Sequence, residues 1–164
     1  MRRGLLVVAI ATACGPSSSE VRTARETLYN ADPHVILKLA AEAAEGEKYR
    51  IGSVDEHEMT FVTAPKFYSS TGDLESAGAD NIVVIRPGSL RVEFIVRVLA
   101  ADPHHVGVTV TPRTFQAIAG SPKPRELGPD DPYLPSFVTG RADALSLAIY
   151  QRAKSYALAS PGGS

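Results

Sequence analysis

Between residues 90 and 98 the chain reads L-R-V-E-F-I-V-R-V, and no other stretch limits the possible fold as much. Leu90, Val92, Phe94, Val96 and Val98 take alternate positions, with Arg91, Glu93, Ile95 and Arg97 between them. A period of two sends these sets to opposite sides of a strand, so one face is buried and the other meets water. Turn residues follow at Asp102-Pro103-His104-His105, and then Val106, Val108 and Val110 alternate with Thr109 and Thr111. The two stretches predict an antiparallel hairpin with an apolar inner face, which needs a second layer to cover it.

The rest of the chain supplies that layer. Asp32 can cap a helix and Pro33 suits its first turn; Ile36, Leu39, Ala40 and Ala43 then recur at helical spacing, with Gly46 as a stop. The pattern predicts a helix over 33–45. Strands are expected over 48–54 and 58–64, with Met59 and Phe61 on one side and Thr60 and Val62 on the other. Residues 69–80 read as a loop, and 81–86 as a short strand ended by Pro87-Gly88. Prolines at 122, 124, 129, 132 and 135 predict a long loop over 116–135 with no regular element. After Ser136 a helix is expected to about residue 157, with Val138, Ala142, Leu145, Ile149 and Tyr156 as its apolar stripe. The fold class expected is α+β: a two-layer sandwich, its antiparallel sheet of about four to five strands covered on one face by an N-terminal and a C-terminal helix.

At 164 residues the chain has room for one domain, and its formal charge of −1 gives no electrostatic reason to expect nucleic acid. The only cysteine is Cys14, which excludes an internal disulfide and a thiolate zinc cluster. It follows a basic Met1-Arg2-Arg3 start and an apolar run over 5–13. That run is far shorter than the ~20 residues a spanning helix needs, and its layout is that of a secretory signal. Ala11-Thr12-Ala13-Cys14 resembles the lipobox of bacterial lipoproteins. The resemblance implies cleavage before Cys14, a diacylglycerol on its sulfur, and residence in the cell envelope. It further implies attachment on the periplasmic side, the outer membrane being favoured over the inner because Gly15 stands where aspartate would retain the protein. Several buried acyl chains hold a protein firmly, at about 0.8 kcal/mol per methylene. The expected organisation is a signal peptide at 1–13, a lipidated N-terminus and flexible leash at 14–30, a single domain at 31–158 and a frayed tail at 159–164.

Beyond residue 14 no motif assigns the globular part to a family. The sequence has no G-x-G-x-x-G, no G-x-x-x-x-G-K and no G-x-S-x-G. The histidines at 34, 57, 104 and 105 lack ligand spacing, so solvated turn histidines are expected rather than a metal site. The carboxylates Asp55-Glu56-Glu58 and Asp130-Asp131 are read as turn chemistry. Arg91, Arg97 and Arg113 could share the outer sheet face and meet an anionic partner. Together these features point to a lipid-anchored envelope protein that catalyses nothing and needs no cofactor. Its domain would bind an envelope protein or an anionic envelope polymer. The alternatives are a carrier of a lipid or small apolar ligand, with Phe94 and Leu145 lining its cavity, and a hydrolase using His57 or His104 with nearby carboxylates.

Overall fold

A computed structural model describes residues 16–75 and 85–158 of the chain. The signal segment and Cys14, most of the strand expected over 81–86, and the tail over 159–164 lie outside the described residues.

The hairpin forms as its alternation demands. Strand β5 (Leu90–Ala100) pairs with β6 (Val106–Gln116) in continuous antiparallel register, from Leu90 opposite Gln116 to Ala100 opposite Val106. Leu90, Val92, Phe94, Val96 and Val98 are all buried, while Thr109 and Thr111 face solvent. Five shorter strands complete an open antiparallel sheet: β1 (Leu28–Tyr29), β2 (Ile51–Asp55), β3 (Thr60–Thr63), β4 (Lys66–Tyr68) and β7 (Arg125–Leu127). The order is β1-β6-β5-β3-β2, with β4 also on β5 and β7 also on β6.

Seven strands exceed the four to five expected because two sheet positions are each filled by two short pieces. β3 lies opposite residues 95–97 of β5 and β4 opposite 90–92, separated at Ala64-Pro65, where proline cannot donate to a ladder. In the same way β1 meets one end of β6 and β7 the other. β7 corrects the expectation of a structureless 116–135. Three residues between Pro124 and Pro129 suffice for a strand at a sheet edge, where only one side must pair.

Three helices lie on one face and cover it in part: α1 (Ser18–Glu26), α2 (Pro33–Gly46) and α3 (Ser136–Ala153). α3 packs against both other helices and β6, and α2 packs over β5 and β3. None of the helices among the described residues is long and apolar enough to cross a membrane. α2 starts as predicted, with Asp32 accepting from the His34 N–H at 2.8 Å and Pro33 next. Gly46 is not its stop. The helix runs through Gly46, and the left-handed residue is Lys48, at φ 63°. The Lys48 N–H donates to the Glu45 carbonyl and the Tyr49 N–H to the Ala44 carbonyl, both at 2.9 Å, which is a Schellman closure. On α3 the buried stripe is Val138, Ala142, Leu145, Ile149 and Ala153, after which the chain tightens into a 3-10 turn (Lys154–Tyr156). That tightening rotates Tyr156 out of the stripe, leaving it exposed.

The flexible leash expected over 14–30 is overturned from Ser17 onward. Ser17 and Glu20 form a capping box: the Glu20 N–H donates to Ser17 Oγ at 3.3 Å, and the Ser17 N–H donates to Glu20 Oε2 at 2.9 Å. Ala24 is buried and Arg25 forms an ion pair with Asp143 of α3, so this polar segment is held by its cap and by α3. Strand β1 then ties the segment to the residues that follow α3. Tyr29 bridges to Ala157, and the Leu158 N–H donates to the Leu28 carbonyl at 2.9 Å.

Candidate functional site

Where the C-terminal end of α2, the edge strand β4 and the first half of α3 meet, cations gather over aromatic rings. Lys66 of β4 lies opposite Val92, so it points to the helix-covered side of the sheet. Its Nζ sits 4.0 Å from the centroid of the Tyr49 ring, and Tyr49 in turn meets Phe94 edge-on at 5.2 Å. Arg141, one turn after Phe137 on α3, stacks its guanidinium 4.6 Å from the Tyr68 ring and 6.0 Å from the Phe137 ring. Phe137 and Tyr68 are themselves in contact at 5.6 Å. Cations over ring faces gain from the ring quadrupole, more so once water is excluded.

The cluster is short of acidic partners. Among the described residues the arginine–carboxylate pairs form elsewhere: Arg25 with Asp143, Arg91 and Arg113 with Glu93, Arg125 with Asp131, Arg152 with Glu42. Among the described residues Arg141 Nε is buried with no hydrogen-bond partner, and the buried Tyr68 hydroxyl has none of good geometry, the Tyr49 side chain being its polar neighbour. Burial, followed by the nearby Arg141 and Lys48 charges, pushes the Lys66 ammonium below the usual lysine range, with Glu47 pulling the other way. Burial, with Tyr49 adding to it and Arg141 opposing, pushes the Tyr68 hydroxyl up to about 12. It therefore stays protonated and can donate.

The arginines expected on the outer face do share it, and their charges are mostly spent there. Glu93, directly opposite Arg113, is only 3% exposed although it lies on the face away from the helices. Arg91 Nε donates to Glu93 Oε1 at 2.9 Å, and Arg113 Nε donates to Glu93 Oε2 at 3.0 Å, each guanidinium forking onto its oxygen through Nη2 as well. Arg91 also lies 4.9 Å from the Phe115 ring, and with Phe67, Ser89 and Pro124 it lines a small recess of ≈ 170 Å³. Arg97 is not drawn into this group. It sits exposed further along β5, opposite Thr109 and Thr60.

His34 lies in the first turn of α2 and the other three histidines in loops. Asp32 stands beside His34, Glu58 beside His57 and Asp102 beside His105, and Asp102 also accepts from the His104 N–H. His57 is 94% exposed, and Asp55 accepts from the His57 and Glu58 N–H groups, which is turn chemistry. Asp131 likewise accepts from the Tyr133 N–H and pairs with Arg125 at 2.7 Å. Among the described residues no three His, Cys, Asp or Glu side chains converge to hold a metal ion. Phe94 and Leu145, expected around a ligand cavity, are both fully buried in the hydrophobic core.

Lys66 and Arg141 were not foreseeable as a pair, being far apart in sequence and joined only by the packing of α3 on the sheet edge. The local signals were the run P-K-F-Y at 65–68, which places a lysine among aromatics, and the i, i+4 spacing of Phe137 and Arg141. A second feature is an open cleft of ≈ 640 Å³ between α2 and α3. Ala43, Gly46, Ala144, Ala148 and Pro16 line it together with the Arg152–Glu42 pair, which closes at 2.6 Å. A scan against protein-family models finds no family that matches this chain, and a search of curated proteins finds no relative.

Proposed function

We propose that this chain is a lipid-anchored cell-envelope protein whose single domain binds another component of the envelope, without catalysis. The observation that supports this reading is the join between the lipobox-like segment and the fold. Ser17 caps α1, so only Gly15 and Pro16 separate Cys14 from the folded domain. The three Cα–Cα steps from Cys14 to Ser17 span at most about 11 Å. A domain anchored at Cys14 through so short a link stands on the membrane surface instead of ranging from it. Its partner is then a component found at that surface. The cleft between α2 and α3 supports this further, because Pro16, two residues after Cys14, is part of its lining.

Cell fractionation of a Cys14→Ala variant tests the anchor. The expected outcome is loss from the membrane fraction together with an unprocessed signal segment. Unchanged processing with full retention in the membrane overturns the proposal.

A further inference from the structure

We propose that Lys66, Arg141 and Lys48 form a binding site for a phosphate-type dianion at the edge of the sheet, between the end of α2 and the start of α3. This inference stands on its own geometry and holds whether or not Cys14 carries lipid.

The donor set comes first. A bound phosphate needs several hydrogen-bond donors near its oxygens, and here an ammonium and a guanidinium are held over neighbouring rings on one side of the sheet edge. One of those donors, Arg141 Nε, finds no hydrogen-bond partner among the described residues. A buried donor left unmade is costly, and an anion seated at this edge is the class of ligand that satisfies it. The aromatic rings hold Lys66 and Arg141 in place beforehand, so little side-chain freedom is lost on binding.

Charge then selects the ligand. The groups that act on Lys66 are two further cations, Arg141 and Lys48, and one carboxylate, Glu47, a net charge of +2 for the set. A carboxylate ligand would leave half of that uncompensated, whereas a phosphomonoester brings about −1.5 to −2 at neutral pH. Burial is the first cause of the lowered lysine value, and the like charges of Arg141 and Lys48 add to it. By contrast the Arg91–Glu93–Arg113 group on the opposite face already contains its anion.

The test titrates the full chain with inorganic phosphate, and separately with acetate, while NMR follows the Arg141 Nε–H and the Lys66 side-chain signals. Phosphate is expected to shift both saturably, and acetate to bind at least about tenfold more weakly. Lys66→Met keeps the stem over Tyr49 and should weaken phosphate binding about tenfold, the worth of one charge-assisted hydrogen bond. Lys48→Met is expected to weaken it less, and Arg97→Met not at all. Vesicles of phosphatidylcholine with and without phosphatidic acid then separate the sources. Selective binding to the phosphatidic acid vesicles, lost in Lys66→Met, assigns a lipid headgroup; phosphate binding without vesicle binding assigns a soluble phosphate-bearing ligand. Absence of saturable phosphate shifts, equal affinity for acetate, or phosphate binding unchanged in both lysine variants overturns the proposal.

Discussion

Glu93 occupies a position where a free carboxylate would be costly: it is 3% exposed, in the middle of a sheet face that carries no helix. Burial alone would raise its pKa. The forks from Arg113 and Arg91 outweigh that cost and hold it below the ordinary glutamate value of 4.5. The two arginine side chains are 40–42% exposed, so they can rehydrate if the carboxylate is removed. Glu93→Gln is therefore expected to cost about 2 kcal/mol in urea denaturation at neutral pH, less than breaking a fully buried pair. The sign of the pH dependence follows from the lowered pKa. The stabilisation is complete above the ordinary glutamate value and is lost as pH falls through the folded-state value. The gap between wild type and Glu93→Gln should thus be widest near neutrality and close in acid; a gap constant with pH would contradict the charge-based account. The sequence placed Glu93 among arginines on an outer face, but it could not show that two guanidinium groups would close on the carboxylate and that it would be buried there.

Two helix ends carry the element-scale predictions, one at each extreme of local fit. α1 is polar and buries Ala24 alone, so its start depends on the Ser17–Glu20 box. Ser17→Ala should cost about 1 kcal/mol and be read as faster hydrogen exchange in the first turn of α1, with the hairpin unaffected. At the end of α2 the misfit is Lys48, a non-glycine residue at φ 63°. Lys48→Gly is expected to stabilise by up to about 1 kcal/mol, since glycine adopts that conformation without strain. Lys48→Ala should bring no such gain, and the comparison separates backbone strain from removal of charge beside Lys66. These ends also show what periodicity can and cannot reveal. α2 and α3 were legible because apolar side chains recur at helical spacing through Ile36, Ala40 and Ala43, or Val138, Ala142, Leu145 and Ile149. α1 has no such stripe, and its only local announcement is the serine–glutamate spacing at 17 and 20, easily taken for part of a polar linker.

At the scale of the whole molecule, stability is graded from the hairpin outward. Val92, Phe94 and Val96 are at most 1% exposed, and β5 is paired on both sides, with β6 along one edge and β3 and β4 along the other. The segment from α1 to β1 is held more lightly, through one buried helical residue, the Arg25–Asp143 pair and the link of β1 to residues 156–158. That link joins segments far apart in the chain through backbone groups of Leu28, Tyr29, Ala157 and Leu158, which is why no side-chain pattern foretold it. Hydrogen exchange should therefore show β5 and β6 amides opening last and α1 and β1 opening first. Ending the chain at Tyr156 removes the Ala157 bridge and the Leu158 bond. The expected cost is about 1 kcal/mol, or about 3 °C in melting temperature for a domain of this size. In that truncated chain α1 and β1 should exchange markedly faster while β5 keeps most of its protection. If α1 instead proved as protected as β5 in the intact chain, or if truncation slowed nothing and loosened nothing, the two ends would not be coupled. For a protein anchored at Cys14 that coupling matters mechanically. Under the proposed anchoring, pull on Cys14 would enter the fold through α1, held on α3 by the Arg25–Asp143 pair, and then reach β1, where residues 157–158 are paired.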